Sequence, residues 1–390
     1  MSGELVLDNA RLVLRDEVVL GAVTIRDGLI HDLERGRVGV GEDFDGDYLI
    51  PGAVELHTDH AEYHMRPRPD VEWEPTAAVL AHDAQMTAAG ATTVLDAVRL
   101  GSGPDDDAAA TARAARRLTE AIIGTRQADV LRADHLMHLR CEISAPDCLE
   151  QFESYADHPL VRLVSLMDHT PGQRQFESVD QFKKYYVGRG RMSETEIEAY
   201  VDGLGEQAHA DAESTRLSIA AGARRRGVPV AAHDDATVDH VIQSAGLGAA
   251  IAEFPTTVGA ASAAAERGLV IVMGAPNLVR GRSHSGNVSA STLFESGLLH
   301  ILSSDYVPSS PLQAVFRITS EGTASLPEAV RLISTNPARA VGLDDRGAIE
   351  IGKRADLVRV RTTGVASTSR SSAGVVPVVR SVYRQGMRVL

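Results

Sequence analysis

Lysine is nearly missing from this sequence. Lys+Arg total 39 in 390 residues, and the only lysines are Lys183, Lys184 and Lys353; the rest of the positive charge is arginine. Arginine is the side chain whose planar fork of donors meets carboxylates and phosphates two bonds at a time. Positive charge is also short overall. The formal net charge of −14 excludes nucleic acid as a general partner, since a backbone binder needs a basic surface, but leaves room for a local basic pocket and a phosphorylated small molecule. Cysteine is confined to Cys141 and Cys148, which excludes a disulfide framework and fits a reducing cytosol. No apolar run approaches the roughly 18 residues of a membrane helix. The opening MSGELVLDNARLVL lacks a basic stretch followed by an apolar one, so no signal peptide is expected and a cytoplasmic location is.

What is present reads as a soluble globular chain, 44% hydrophobic and 24% charged. Its length suits a barrel of about 250 residues with additions. Residues 4–34 alternate as short strands with an Asp27-Gly28 hairpin signal, and 347–360 and 375–390 have the same character. The two ends, 1–48 and 346–390, are therefore expected to form one small β-sandwich domain. Between them, over 49–345, strand candidates recur at 49–60, 91–98, 135–143, 161–169, 228–235, 249–257, 269–277 and 298–307. Alanine-rich, helix-prone segments separate most of them (105–124, 205–226, 236–245, 258–267 and 311–319). Eight β-then-α units predict an α/β fold, a (β/α)8 barrel of the TIM type. An open doubly wound sheet is the alternative, disfavoured because no glycine-rich dinucleotide fingerprint follows the first strand. A polar insertion at 172–215, with a capping-box signature at Ser193–Glu196, is expected as a lid or as a packing arm for a second subunit. The stretch 365–374, VASTSRSSAG, is expected to be a disordered loop.

The polar residues cluster at the C-terminal ends of these strands, the face where parallel barrels carry their active sites. His57 and Asp59 end the first strand, and period-two alternation predicts that they share a face. Arg140 and Glu142, Asp168 and His169, His233 to Asp235, Glu253, Asn277 and Asp305 end others. Scattered singly, such residues are structural; as a set on successive strands they predict a metal site. The expected ligands are His57, Asp59, His169, His233 and Asp305, with Glu142 as bridging carboxylate if two ions bind. Imidazole with carboxylate suits zinc first, then manganese or iron. Cys141 is expected as a buried thiol, and His135 and His138 as core residues or supports. A divalent ion acidifies water and Asp305 accepts the proton, which implies a hydrolase with Asp305 and His233 as catalytic residues. A second pattern suits anions. Residues 273–290 carry Asn277, Arg280, Arg282, Ser283, His284 and Asn287 among glycines and run into a helix, and Arg66, Arg68, Arg140 and Arg174 belong to other strand ends and loops. Arginine on four loops predicts a polyphosphate.

HTDHAEYHMRPRP, SLMDHTPGQRQF, HDDAT, AEFPTT, VMGAPNLVRGRSHSGNVSA and LSSDYVP together resemble the PhnM family of carbon–phosphorus lyase pathways, within the amidohydrolase superfamily. The resemblance runs from about residue 45 to residue 355. It implies a metal-dependent diphosphatase acting on α-D-ribose 1-methylphosphonate 5-triphosphate, with pyrophosphate and the 5-phosphate as products. It implies metal roles for His57, Asp59, Glu142, His169, His233 and Asp305. The carbamylated lysine of many amidohydrolases has no counterpart, because no lysine lies at a metal-bearing strand end. One departure stands out: His60 occupies a position where the family usually has Asn, as a ligand, a substrate contact or a neutral change. Two further readings follow the fold alone: a hydrolase or deaminase of cyclic amides or nucleobases, and a non-catalytic binding protein. A homodimer is expected; nucleic acid and membrane partners are not.

Overall fold

The computed structural model describes residues 4–68, 71–103, 107–171, 174, 179–188, 192–203, 206–283, 286–364 and 375–390. The chain begins with β1 (Leu5–Val13), β2 (Val18–Arg26), β3 (Leu29–Arg35), β4 (Glu42–Asp43) and β5 (Tyr48–Pro51). The hairpin expected at Asp27-Gly28 joins β2 to β3, with both residues at positive φ, 50° and 79°. Then come the barrel strands β6 (Ala53–Thr58), β7 (Ala91–Leu100), β8 (Asp134–Glu142), β9 (Val161–Met167), β10 (Val230–His233), β11 (Ile251–Glu253), β12 (Val270–Gly274) and β13 (Ile301–Ser303). β14 (Leu357–Thr363), β15 (Val376–Arg384) and β16 (Met387–Arg388) return to the first group. That group is one continuous sheet in the order β16-β15-β14-β5-β1-β2-β3, with β4 beside β1. The expected sandwich is thus a single hydrogen-bonded sheet, packed about Leu7, Leu12, Ile25, Phe44, Leu357 and Tyr383.

β6 to β13 pair in parallel in chain order. The seam is drawn together by a Thr58–Asp305 bridge and by Glu55, whose carboxylate accepts from His57 N at 2.8 Å and Ser304 N at 2.7 Å. Every barrel strand contributes to one apolar plug, including Leu56, Leu95, Leu136, Leu163, Ile251 and Ile301. The plug fills the lower barrel, which is why chemistry is confined to the upper rim.

The helices are α1 (His60–Met65), α2 (Pro75–Ala88), α3 (Ala108–Gln127), α4 (Cys148–Tyr155), α5 (Val179–Gly188), α6 (Glu194–Gly203) and α7 (Glu206–Arg225). After these come α8 (Val238–Gly246), α9 (Val258–Glu266), α10 (Ala275–Arg280), α11 (Ala290–Glu295), α12 (Ser310–Ser320), α13 (Leu326–Arg331) and α14 (Thr335–Ala340). Within the insertion, Ser193 and Glu196 form the expected reciprocal cap, and Phe182, Tyr186 and Ile197 make a small core of their own. The stretch 365–374 lies outside the described residues.

The sequence segment 49–60, expected as one strand, is two. Leu49 to Pro51 pair with β14 in the small sheet, and Ala53 to Thr58 pair with β7 in the barrel. Gly52 alone separates them, and a Cβ there would meet Thr92 Oγ1 at 2.1 Å. The expected domain boundary at 48/49 therefore falls inside β5.

Candidate active site and metal centre

The strand ends converge on an open cavity of about 710 Å³. Of the residues expected at the site, it is lined by His57, Asp59, Arg140, His233, Asn277, Ser283, Asn287 and Asp305. Asp234, Phe254, Gly274 and Tyr306 also line it.

His57 and Asp59 meet the cavity together, but not through strand alternation. β6 stops at Thr58 after a register break against β7, and Asp59 is the N-cap of α1, with φ −92° and ψ 5°. Its carboxylate leaves the helix end uncapped, accepts instead from Arg140 Nη1, and lies 3.8 Å from His57 Nε2. Burial would push Asp59 up, but Arg140 and His57 hold it below the ordinary carboxylate value.

His57 Nδ1 lies 2.7 Å from Glu253 Oε1. The other Glu253 oxygen accepts from Ser165 Oγ at 2.8 Å and lies 3.7 Å from His233 Nε2. Burial opposes ionisation of Glu253, yet His57, His138 and His233 outweigh it and keep the carboxyl well below its usual value. His169 Nδ1 is 2.5 Å from Glu142 Oε2, while the other Glu142 oxygen accepts from Ser144 Oγ and from His169 N. Glu142, expected as a ligand, meets His169 and fixes which ring nitrogen it presents; neither residue lines the cavity.

Two groups have ligand atoms within 4.8 Å of one another: His57, His233 and Glu253; and His169, His233 and Asp234. His233 belongs to both. It is buried with neither ring nitrogen in a hydrogen bond, although Asp234 Oδ2 comes within 2.9 Å of Nδ1. A buried imidazole with two unmatched nitrogens is costly unless a ligand completes it. The donor set, imidazoles and carboxylates without thiolate, fits a hard or borderline divalent cation. Asp234, Phe254 and Asp305, which follow β10, β11 and β13, have φ of 59°, 56° and 51°. This left-handed backbone is unfavourable for such residues and concentrates at functional rims.

Asp305 N donates to His57 O at 3.1 Å. Burial first, then the Asp59 carboxylate, raise the Asp305 carboxyl to about 6. Gly274 makes room for it, since a Cβ there would sit 2.8 Å from Asp305 Oδ2. His60 opens α1 half-buried, with Nε2 unpartnered and its pKa lowered by burial.

The anion-binding expectations separate. Arg280 donates to Tyr306 Oη at 3.2 Å at the cavity edge. Asn277 is a brace as well as a wall, accepting from Ala290 N at 3.0 Å and donating to Val288 O. Arg282 is exposed, and His284 lies outside the described residues. Arg66 ends α1 and lines a neighbouring groove, and Arg68 is exposed in a bridge to Val71. Arg174 corrects the expectation of four loops aiming arginine at the rim. It is 3% exposed, ion-paired with Asp235 and bonded to Gln243 at 3.0 Å. A local sequence pattern gives no sign of that pairing.

Glu253 and Asp234 were not among the expected ligands. Their signal was position: both stand at strand ends beside residues that were. A further His/Asp group, His82, Asp96 and His135, is buried between α2 and the barrel wall, away from this cavity. His135 bridges two carboxylates, Asp96 at 2.8 Å and Asp83 at 3.3 Å, and Asp96 also meets His82 at 2.9 Å. Cys141 is a free buried thiol, as expected.

A parallel barrel with a histidine- and carboxylate-lined upper rim, joined to a sheet from both termini, is the architecture of an amidohydrolase, and a model of the amidohydrolase family matches residues 191–389. Solved structures of the same fold include N-isopropylammelide isopropylaminohydrolase from Burkholderia multivorans ATCC 17616 (TM-score 0.64, 18% identity, 100% of this chain and 98% of that one). Another is N-acetyl-D-glucosamine-6-phosphate deacetylase from Mycobacterium smegmatis (TM-score 0.62, 16% identity, 100% of each chain). Among curated proteins, alpha-D-ribose 1-methylphosphonate 5-triphosphate diphosphatase of Escherichia coli (strain K12) is 44% identical over 358 residues, 91% of this chain and 94% of that protein. The chain belongs to the family of that diphosphatase, within the amidohydrolases, and is a hydrolase.

Proposed function

We propose that the protein cleaves the α–β phosphoanhydride of α-D-ribose 1-methylphosphonate 5-triphosphate, giving the 5-phosphate and pyrophosphate in phosphonate catabolism. The observation that carries this reading is His233, buried with neither ring nitrogen in a hydrogen bond, shared by two ligand groups in a cavity that also holds Asp305 and Arg140. The 44% identity to the diphosphatase supports the substrate.

His57, His233 and Glu253 would hold one divalent ion, with His169, Asp234 and Asp59 available to the same ion or a second; zinc suits the set, with manganese and iron as alternatives. Bound there, the ion supplies Lewis acidity toward phosphoryl oxygens and acidifies water. Asp305 accepts the proton of the attacking water at a carboxylate oxygen. Arg140 holds Asp59 in place and offers positive charge to the phosphoryl oxygens. Arg280, Ser283 and Asn287 receive the departing pyrophosphate. Glu142 orients His169. The two free buried thiols support a cytoplasmic location.

The test is phosphorus NMR of metal-loaded protein with this triphosphate and with ATP, beside proton NMR of the same protein with a hydantoin and a dihydropyrimidine as comparisons. Pyrophosphate released from the ribosyl substrate well ahead of the others supports the reading. Turnover of a cyclic amide in its place sinks it.

A further inference from the structure

The catalytic cavity is not the only opening on the upper rim. Two adjoining hollows of about 490 and 500 Å³ share Met65, Arg66 and Ala114 as walls. They form a groove between the end of α1 and α3. Its lining is richer in cations than in anions, unlike a chain of net charge −14: Arg66, Arg99, Arg113 and Arg117 stand there against Glu62 and Glu72. Arg117 is committed to Glu72 at 2.5 Å. Arg66 and Arg113 have no ion-pair partner among the described residues. Trp73, the single tryptophan of the chain, stands 56% exposed on the same wall.

The groove and the cavity are neighbours. Arg99 on β7 is register-paired with Arg140 on β8, so both side chains leave the barrel at the same height. Glu62 lies on α1 between the cavity-lining Asp59 and Arg66, and lines the groove with Arg66 and Arg99. The β12–α10 side of the cavity, with Asn277, Ser283 and Asn287, lies several strands away around the rim.

We infer that this groove is the subsite for the second anionic group of the substrate, the methylphosphonate on C1 of the ribose. The inference rests on the proposed function. That substrate carries anions at both ends of a sugar. The pyrophosphate is bonded to the scissile phosphorus and must sit in the catalytic cavity itself. The phosphonate is separated from it by the ribose and needs cationic groups set back from the cavity. Arg66 and Arg113 supply them, and Arg99 lies between, so a substrate with an anion at this end gains contacts that one ending in a neutral aglycone lacks.

Two measurements test this. The first compares KM for the full substrate and for ribose 5-triphosphate, which lacks the phosphonate. Arg113→Ala raises KM roughly tenfold to a hundredfold for the full substrate, the worth of one charge-assisted contact, and spares the truncated one. Equal effects on both substrates, or none on either, overturn the inference. The second needs no turnover: methylphosphonate is titrated against the Trp73 fluorescence of the intact protein. A saturable change that Arg113→Ala weakens supports the subsite, and no change overturns it. If wild-type protein fails to hydrolyse the substrate but binds methylphosphonate at Trp73, the proposed function has failed and the groove has not.

Discussion

Glu253 Oε1 meets His57 Nδ1 at 2.7 Å, joining β11 to β6, two strands that are not neighbours in the barrel. The same carboxylate reaches toward His233 with its second oxygen, 3.7 Å from Nε2. It is therefore the group that ties the first metal strand to the fifth. Glu253→Gln keeps the volume and removes the charge. Metal affinity should fall about 10–100-fold while the fold survives. Metal content after dialysis against a zinc buffer, read beside circular dichroism, checks this; unchanged metal content refutes the ligand role.

Removal of the metal should be felt beyond activity. His233 is buried with neither ring nitrogen in a hydrogen bond, so the metal-free protein should unfold at lower temperature. Differential scanning calorimetry with and without a chelator gives the difference, and His233→Ala should abolish it along with turnover.

Asp305→Asn should cut kcat by about 10²–10⁴, the usual contribution of a general base, and leave metal content intact. A variant with near-normal kcat would remove Asp305 from the mechanism.

Gly274→Ala tests the same residue from outside it. The added methyl meets Asp305 Oδ2 and must displace it, since Gly274 is backbone-fixed at the end of β12. A displacement of about 1 Å at a catalytic group costs on the order of 10²-fold in rate. The expected signature is lost kcat with unchanged melting temperature and unchanged metal.

The His135 network sets a pH window for stability. Burial opposes the charge, but Asp96 and Asp83 lift His135 to about 10, while burial of Asp96 is outweighed by His135 and His82, which bring it to about 2. A histidine raised on folding contributes fully below its unfolded value of about 6.5 and loses that contribution as pH climbs through about 10. A lowered aspartate contributes above about 4 and loses its share as pH falls toward 2. The stabilisation is therefore whole from about pH 4 to 6.5. His135→Gln should destabilise by about 1–3 kcal/mol near pH 6, because it removes the cation between two buried carboxylates and leaves Asp96 only His82 and Asp83 only Arg132 with two backbone N–H groups, and it should flatten the alkaline limb. Urea unfolding at pH 6 and pH 9.5 measures both; an equal loss at the two values counts against the network.

The eight barrel strands are legible because each is a short apolar run, all but 91–98 ended by polar residues, and that pattern is local. The hairpin at Asp27-Gly28 and the cap at Ser193 were legible for the same reason. What escaped was long-range. The Arg174–Asp235 pairing is made across 60 residues of sequence, so arginine that read as rim charge is buried structure. The contact of Glu142 with His169, which follows the neighbouring strand, is of the same long-range kind. His57 and Asp59 were paired correctly for the wrong reason, because a register break in β6 cannot be seen in an alternating pattern.

Gly52 gives the terminal strands a role in the site that none of their side chains declares. β5 is held between β1 and β14, and one residue later the chain is already the strand that carries His57. The sheet woven from the two termini works as a mooring. Loosening of that sheet is handed through Gly52 to the strand that ends at the catalytic imidazole, so the termini bear on where the hydrolysis happens.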